Sequence, residues 1–349
     1  MSTASATQAP QHAEMSPDQR LLQLSCGFMF TAALYTAAKL DLAGLLAKGP
    51  RTAAELAAAT RSHEGALYRV LRALVSVGVF AETSPRTFTL SPMAEPLRSD
   101  LPGNVRDLVL WVGNRFHFHT WAEMPWSVQT GKPAVEHLYG KPCFECLDAM
   151  PDVAQDFNAG MTCLSGRIAP ALLEAYDFSG VGTLMDVAGG HGFVLCEVLR
   201  RYPQMKGILF DMPSVIEGAK CRVCDLKLDH RCTPVAGDFF QHIPPGADAY
   251  YLQHIIHDWD DQQALKILAN CRQALAGRSD ARLLVVDCVL TPGPEPHFGK
   301  LLDLEMLLMP GGYERTEPEF RELFAKAGLR LTRIVPMKAA ESVIEARLA

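Results

Sequence analysis

Residues 183–201 read TLMDVAGGHGFVLCEVLRR, and this stretch decides the fold. A short apolar run ends at Asp186, glycines follow at positions 189, 190 and 192, and the remaining residues are apolar at helical spacing. The next run, KGILFDM at 206–212, repeats the scheme and ends in Asp211. A strand, a glycine-rich turn and a helix in this order form the repeating unit of a parallel sheet covered by helices.

The same rhythm continues toward the C-terminus. The segments AGDFF, DAYYLQHII and ARLLVVDCVL follow in that order, with a helical stretch before the last of them. Strands that alternate with helices predict an α/β doubly wound parallel sheet, and ligands bind such sheets at the carboxyl ends of the strands. Five polar side chains fall at those ends: Asp186, Asp211, Asp238, Gln253 and Asp287. The sequence therefore predicts a ligand site along this edge.

The N-terminal part has a different, mainly helical pattern. Thr52 and Glu55 form a capping box at the start of TAAELAAATR, and residues 63–80 are apolar at helical spacing. Two short alternating segments around Ser84-Pro85 then predict a hairpin. Helices followed by a hairpin indicate a winged-helix arrangement.

A winged helix that reads DNA needs a cationic recognition helix. The third helix here offers only Arg69 and Arg72 against Glu64, and the chain has a net charge of −6. We therefore favour packing or dimerisation for this domain and expect no nucleic acid partner. A DNA-binding regulator that senses a small molecule stays open as a hypothesis from another class of protein.

The composition is that of a chain with a large core. Of 349 residues, 48% are hydrophobic and 21% are charged. The first residues are small and polar, unlike a secretion signal, and the apolar stretch at 21–40 carries polar interruptions that favour a buried or interface helix over a membrane span. Ten cysteines without a secretion signal indicate reduced thiols in the cytoplasm.

Two groups of side chains have the chemistry of metal ligands. The first group is Cys221, Cys224, His230 and Cys232, and the second group is His254, His257 and Asp258. Thiolates and imidazole suit zinc, but the first two cysteines fall at the end of a helix, where cysteine is commonly a small buried residue. Three ligands on one short loop rarely converge on a metal. We expect no metal, and zinc at the cysteine set stays an open alternative.

The loop DVAGGHG argues for a particular kind of ligand. It lacks the Gly-Lys-Ser/Thr ending of a phosphate-binding loop, and Leu195 stands where a dinucleotide fingerprint needs a small residue. The glycines still allow close approach to the backbone, and a helix N-terminus favours an anion such as a carboxylate. Asp211 is placed to accept hydrogen bonds from two ribose hydroxyls. A nucleoside that carries an amino acid is S-adenosylmethionine.

Six blocks in order carry a resemblance to a known family: DVAGGHG, FDMPSVI, AGDFF, HIIHDWDD, LLVVDCVL and GGYERTEPEF. They resemble the signature of the small-molecule O-methyltransferases of the plant caffeate and animal hydroxyindole type, which have many bacterial members. The resemblance covers nearly the whole chain and implies a Rossmann-like class I methyltransferase sheet with an N-terminal winged-helix domain that forms an intertwined homodimer. The small polar residues at 1–14 predict a disordered tail. The resemblance implies a winged-helix dimerisation domain at 15–103, a helical connector and substrate-pocket segment at 104–170, and an S-adenosylmethionine-binding catalytic domain at 171–349.

The resemblance also implies the cofactor-binding residues. Asp186 and the backbone of Ala188, Gly189 and Gly190 hold the methionine portion, Asp211 holds the ribose, and Asp238 and Phe239 frame the adenine. Gln253 stands where many relatives have Lys or Arg, which removes a charge but leaves a hydrogen-bonding group. Ala188 replaces a glycine that is usual in the plant enzymes, and the backbone contacts tolerate this replacement if the local φ is negative.

His257 lies in the HDW triplet that carries the catalytic base in this family. Asp260 and Gln263 form a capping pattern, so His257 precedes a helix, at the sheet edge where chemistry is expected. A phenol with a pKa near 10 is mostly neutral at pH 7, whereas an imidazole with a pKa near 6.5 can accept its proton. Asp287 and Glu314 are the candidates for orienting the imidazole.

The remaining charged residues of this loop are expected to have structural roles. We interpret His254 as structural, and Asp258, Asp260 and Asp261 as helix caps and solvated charges.

The predicted function is S-adenosylmethionine-dependent methylation of a hydroxyl on an aromatic small molecule, in secondary metabolism. N-methylation on the same scaffold stays open, because His257 matters less there. The aromatic side chains of the connector are core residues or line a pocket for a flat substrate, and the sequence does not decide between these or identify the acceptor.

Overall fold

The computed structural model describes residues 15–101 and 103–349, without the side chains of residues 219–221. The chain divides into two compact units, with the boundary between Leu101 and Pro102. The tail predicted at 1–14 lies outside the described residues, and the further division at residue 170 stays a prediction.

The first unit is mainly helical. Its helices are α1 (Pro17–Ser25), α2 (Gly27–Lys39), α3 (Leu42–Leu46), α4 (Ala53–Thr60) and α5 (Glu64–Ser76), and its strands are β1 (Arg51–Thr52), β2 (Phe80–Ser84) and β3 (Thr87–Leu90). The capping box predicted at Thr52 and Glu55 starts α4. The strands form a small antiparallel sheet in the order β1-β3-β2, which gives the hairpin of a winged helix.

The first two helices expose apolar side chains. No residue of α1 is buried, and only Ala37 and Ala38 are buried in α2. Leu22 and Leu24 are 65% and 70% exposed. By length and composition alone the stretch Pro17–Lys39 could cross a membrane, and little of it is buried. An apolar surface of this kind on a helix indicates an interaction site.

The second unit contains the large sheet. Its helices are α6 (Arg106–Gly113), α7 (Arg115–Ala122), α8 (Met124–Thr130), α9 (Ala134–Tyr139), α10 (Cys143–Ala149), α11 (Pro151–Ala175), α12 (Phe193–Arg201), α13 (Pro213–Asp225), α14 (Asp261–Leu275), α15 (Gly299–Leu308) and α16 (Glu317–Lys326). Its strands are β4 (Thr183–Val187), β5 (Lys206–Asp211), β6 (Cys232–Ala236), β7 (Ala249–Gln253), β8 (Arg282–Leu290), β9 (Arg315–Thr316), β10 (Leu329–Pro336) and β11 (Glu341–Leu348). Short 3-10 helices cover Glu95–Leu97 in the first unit and Ile256–Asp258 in the second.

The sheet is doubly wound, as expected, but it is not wholly parallel. Its order is β10-β11-β8-β7-β4-β5-β6, with β9 beside β8. Strands β4 to β8 pair in parallel, whereas β11 is antiparallel to both β8 and β10. The five strands that the sequence predicted, β4 to β8, are parallel as expected. The sequence analysis did not predict β10 and β11, which form a hairpin with β11 next to β8.

Helices cover both faces of this sheet. On one face, apolar residues of α11, α12 and α13 pack against the strands, and on the other face those of α14 and α16 do so. This explains why the strands carry continuous apolar runs, because strands buried on both faces have no solvent side. The core fixes the strands, and the loops at their carboxyl ends are held on a rigid base.

Part of the aromatic segment belongs to a second core. Trp111 and Phe116 are buried and pack with residues of α9, α10 and α15. Phe144 is 38% exposed, and its ring lies 5.9 Å from that of Trp259 at the edge of the sheet. The structure thus assigns Trp111 and Phe116 to the core, and the use of the other aromatic residues as a pocket stays a prediction.

Candidate active site

The loop after β4 makes a tight turn toward the ligand edge of the sheet. A Cβ at Gly189 would lie 2.5 Å from the carboxyl group of Asp186, so this position cannot hold a side chain without a shift. Gly190 and Gly192 have φ of 59° and 73°. Ala188 has φ of 56°, so the condition of a negative φ, under which an alanine is readily tolerated, is not met. Alanine adopts this left-handed conformation only at a cost, because its Cβ crowds the backbone.

Asp186 gives this loop a buried carboxyl group, and Asp211 gives it a partly buried one. Asp211 accepts hydrogen bonds from the backbone N–H of Gly190 at 2.8 Å and of Met212 at 2.7 Å. Burial raises the pKa of Asp211, and burial together with the charge of Asp211 raises the pKa of Asp186 to about 7. Each oxygen of Asp211 keeps a free lone pair, so it can still accept a hydroxyl donor.

Aromatic rings stand beside the next strand end. Asp238 accepts a hydrogen bond from the backbone N–H of Phe240 at 2.8 Å, which closes the turn after β6. The rings of Phe239 and Phe240 both contact Trp259, with centroids 6.2 Å and 4.7 Å apart. The indole N–H of Trp259 is buried without a hydrogen-bond partner among the described residues. A flat group such as an adenine ring fits beside such an edge.

Gln253 ends β7 and is held by a buried tyrosine. The hydroxyl of Tyr251 donates to the side-chain Oε1 of Gln253 at 2.6 Å. Burial and the nearby carboxylates raise the pKa of Tyr251 far above its usual value, so the hydroxyl stays a donor. Because the amide oxygen is engaged, the NH₂ group of Gln253 is available to a ligand.

These groups together fit a nucleoside that carries an amino acid. A Cβ at Gly190 would meet no atom within 4 Å, so the turn leaves open space at that position. The N-terminus of α12 favours a carboxylate, and Asp211 retains acceptor capacity for hydroxyl groups. The structure brings all the sequence-predicted cofactor residues to the carboxyl ends of β4, β5, β6 and β7. Their individual contacts with a cofactor remain predictions.

His257 lies in the 3-10 helix between β7 and α14, and a glutamate holds one side of its ring. The Nδ1 atom lies 2.6 Å from Oε1 of Glu314, and both residues are buried. When Nδ1–H of the neutral ring donates a hydrogen bond to Glu314, Nε2 carries no proton and is the basic atom of the ring. This is the geometry of an oriented general base.

The loop that carries His257 is fixed by a buried arginine. Arg315 is 1% exposed and donates to the carbonyl oxygens of Ile256 and Trp259 at 3.1 Å and 3.0 Å. It also pairs with Asp261 at 3.0 Å. Sequence reasoning missed this role, although Arg315 follows Glu314 directly and the GGYERT block contains both.

The two predicted orienting carboxylates have different positions. Glu314 contacts the ring, whereas both oxygens of Asp287 are buried without hydrogen-bond partners among the described residues. Asp287 lies within β8, one residue past the partner of Gln253 in the register. Burial raises its pKa, and the nearby His257 opposes this rise. Asp287 therefore acts on His257 through charge.

Asp258 was predicted to be a cap or a solvated charge, and this was wrong. Its side chain is 16% exposed, with Oδ1 3.6 Å from Nε2 of His257. Burial raises the pKa of Asp258 to about 7, against the opposing effect of His257. The prediction holds for Asp260, which caps α14, and Asp261 instead pairs with Arg315.

The imidazole is more basic than an ordinary histidine. Burial lowers its pKa, but the charges of Asp287, Glu314 and Asp258 and the hydrogen bond to Glu314 raise the pKa of His257 to about 10. A positive charge beside the ring, such as a sulfonium, lowers the pKa again.

The metal alternatives gain no support from the geometry. Among the described residues, no group of three His, Cys, Asp or Glu side chains is arranged to hold a metal. The side chain of Cys221 is outside the described residues, while Cys224 is exposed and Cys232 is buried.

Two further features of the second unit are a buried contact between helices and an open groove. Glu305 of α15 lies 2.8 Å from Nε2 of His117 and accepts from the indole N–H of Trp121 at 2.5 Å, which ties α7 to α15. An open groove of about 1020 Å³ runs along α11 to His191 and Phe193. His257 does not line this groove, so the groove gives no evidence about the acceptor site.

Comparison with known proteins identifies the family. Residues 121–330 match the model of the O-methyltransferase domain, and residues 22–100 match the O-methyltransferase dimerisation domain. The chain belongs to this O-methyltransferase family. Members use S-adenosylmethionine, so the chain is a methyltransferase with that cofactor. The predicted family and fold class are thereby confirmed.

Two curated relatives and a solved structure cover almost the whole methyltransferase. A phenazine O-methyltransferase of Lysobacter antibioticus is 41% identical over 327 residues, 94% of this chain and 95% of that protein. The 8-amino-8-demethylriboflavin N,N-dimethyltransferase of Streptomyces davaonensis is 35% identical and covers 97% of each chain. An O-methyltransferase from neocarzinostatin biosynthesis, solved with S-adenosylmethionine and 2-hydroxy-5-methyl naphthoic acid, is 31% identical with a TM-score of 0.80, covering 97% of this chain and all of that one.

Proposed function

We propose that this methyltransferase methylates a hydroxyl group of an aromatic small molecule, with His257 as the general base. The contact between Nδ1 of His257 and Glu314 carries the proposal, because it leaves Nε2 as a fixed proton acceptor. A relative that acts on a phenazine and a solved structure with a naphthoic acid support an aromatic acceptor.

The chain's own residues divide the work between binding and proton transfer. Bound S-adenosylmethionine supplies a methyl group on a positively charged sulfur, which is an activated electrophile. In the proposal, this cofactor is held by Asp186, the backbone of 188–190, Asp211, Asp238 with Phe239, and Gln253.

His257 takes the hydroxyl proton at Nε2 as the acceptor oxygen forms its bond to the methyl carbon and the carbon–sulfur bond breaks. Glu314 and Asp287 stabilise the resulting imidazolium. The products are the methyl ether, the neutral thioether and the protonated His257.

We also propose a homodimer formed through α1 and α2, located in the cytoplasm. The dimerisation-domain match and the exposed leucines of α1 support the pairing. The reduced cysteines and the bacterial biosynthetic relatives support the location. Nucleic acid, membrane and metal have no part in this proposal.

A mass-spectrometric screen tests the reaction. Phenols, catechols, indoles and phenazines are incubated with S-adenosylmethionine, beginning with a hydroxyphenazine, and each product is scored for the gain of one methyl group. We expect methylation at oxygen, shown by NMR of the product. Methyl transfer to nitrogen alone would replace the proposal by the N-methyltransferase hypothesis, which the riboflavin-type relative favours.

A further inference from the structure

His254 stands beside the proposed base in an unusual backbone conformation. It follows the last residue of β7 and has φ of 54°, a backbone angle that residues other than glycine rarely adopt. Its backbone N–H still donates to the carbonyl of Val286 at 3.1 Å, so the strained residue is held in the ladder between β7 and β8. Strain of this kind persists only where the surrounding structure enforces it, and it is concentrated at functional sites.

The ring of His254 lies next to the ring of His257, and the two rings are nearly parallel. The two ring centroids are 5.1 Å apart, and the planes differ by 13°. Among the described residues the ring nitrogens of His254 and His257 contact two different glutamates and not each other, so His254 is not a proton relay to His257. The ring of His254 lies beside that of His257 in a nearly parallel plane, while Glu314 contacts one edge of the His257 ring.

A second glutamate anchors His254. Its Nε2 lies 3.1 Å from Oε1 of Glu341, the first residue of β11, and the two side chains are 12% and 5% exposed. Burial raises the pKa of Glu341, but the hydrogen bond and charge of His254 lower it by more, so the carboxylate is ionised at neutral pH. The site therefore contains two adjacent histidine–glutamate pairs from different strands.

The hydrogen bond to Glu314 sets which edge of the His257 ring faces the acceptor, but the side chain keeps small torsional motions about its Cα–Cβ and Cβ–Cγ bonds. A neighbouring ring in a nearly parallel plane limits these motions. We infer that His254, anchored by Glu341, is a positioning residue that sets the plane of the His257 ring and offsets the negative charge around it.

The charge balance supports the second part of this inference. The groups that face His257 are Asp258 on its own segment, Asp287 on β8, Glu314 before β9, Arg315 on β9, Glu341 on β11 and His254 after β7. The charge of His254 lowers the pKa of both Asp287 and Asp258, against burial. Without His254, the Glu341 carboxylate loses its hydrogen-bond partner, and an unpartnered carboxylate beside the site favours the protonated form of His257, which cannot act as a base.

Three variants test the inference, which rests on the proposed role of His257. Asn in place of His254 tolerates a positive φ but lacks the ring and its charge. We expect His254→Asn to lower the single-turnover rate with hydroxyphenazine about 10-fold to 100-fold, as for a displaced catalytic group. We also expect it to raise the pKa of His257 by about one unit, measured by NMR of labelled histidine.

The double variant separates orientation from charge. In His254→Asn/Glu341→Gln both partners are neutral, so the pKa of His257 returns to the wild-type value while the rate stays low. Glu341→Gln alone keeps the ring but loses its anchor, so we expect a lower rate without a rise in that pKa. His230→Asn, on an exposed histidine, is the matched control and changes neither quantity.

Calorimetric binding of S-adenosylmethionine confirms that each variant is folded. The inference would be overturned if His254→Asn had both the wild-type rate and the wild-type pKa of His257. If His254→Asn does not fold, a wild-type rate in Glu341→Gln would overturn the inference instead. A full rate in His257→Ala instead contradicts the proposed function, so the two failures are distinct.

Discussion

At the scale of single residues, Ala188 shows a conflict between side chain and backbone. Its φ of 56° lies in the left-handed region, and its N–H donates to the carbonyl of Phe210 at 2.7 Å. This conformation was not predictable from the residue types, because an alanine between a strand and two glycines is compatible with either sign of φ. The turn is imposed by the parallel pairing of β4 with β5.

Replacing Ala188 by glycine is expected to stabilise the protein. Glycine adopts positive φ without strain, and the left-handed conformation costs alanine about 1 to 2 kcal/mol, part of which the greater freedom of the unfolded glycine chain offsets. We expect Ala188→Gly to raise the free energy of unfolding by about 1 kcal/mol in urea denaturation. Ala325→Gly, at an exposed position in α16, is the control and lowers it by about 0.5 to 1 kcal/mol. An equal loss in both variants would contradict the strain at Ala188.

At the scale of elements, features formed by residues close together in the chain were predicted correctly, and features formed by distant residues were not. The capping box at Thr52 and the cap at Asp260 were both confirmed, because these hydrogen bonds join residues three apart. The β10–β11 hairpin was not predicted, and Glu341 was therefore missed. His254 and Glu341 are 87 residues apart, and only the antiparallel insertion of β11 beside β8 brings them together.

The segment that carries His257 depends on Arg315. Lysine in its place keeps the charge but cannot reach several carbonyl oxygens at once, because it lacks the planar fork of donors. We expect Arg315→Lys to lower the free energy of unfolding by about 2 to 3 kcal/mol, since buried acceptors lose their donors. We also expect turnover to fall about 10-fold as the loop shifts.

Urea denaturation and steady-state kinetics measure the two effects. Arg321→Lys, at an exposed ion pair with Glu317, is the matched control and changes stability by no more than about 0.5 kcal/mol. If Arg315→Lys behaves like this control, Arg315 does not fix the catalytic loop.

At the scale of the whole molecule, both units were recognisable from the sequence because their patterns differ: mainly helical at first, then alternating strands and helices. The family followed from six blocks in order, and its model matches both units. The acceptor was not predictable, since shape and not motif decides it. The pKa of His257 was not predictable either, because it depends on carboxylates brought together from separate strands.

The dimer is tested at the exposed face of α1. We expect sedimentation to show a dimer at micromolar concentration, and Leu24→Glu to weaken it at least about 10-fold, because a buried leucine contributes about 1.5 to 3 kcal/mol. Val128→Glu, at a residue of α8 that is 67% exposed, is the control and leaves the dimer intact. A wild-type chain that stays monomeric at this concentration would contradict the proposal.

The central claim is that His257 removes the proton from the acceptor hydroxyl, and the pH dependence of His257→Ala tests it most directly. Because carboxylates raise the pKa of His257 above 6.5, the wild-type rate should rise with pH through a midpoint above 6.5, where the imidazole becomes neutral. At pH 7 the variant should bind S-adenosylmethionine normally in calorimetry and turn over about 10²-fold or more slowly. The deficit should shrink as pH approaches the pKa of the acceptor, where the hydroxyl ionises without a base. Near-normal turnover of His257→Ala at pH 7 would contradict the account.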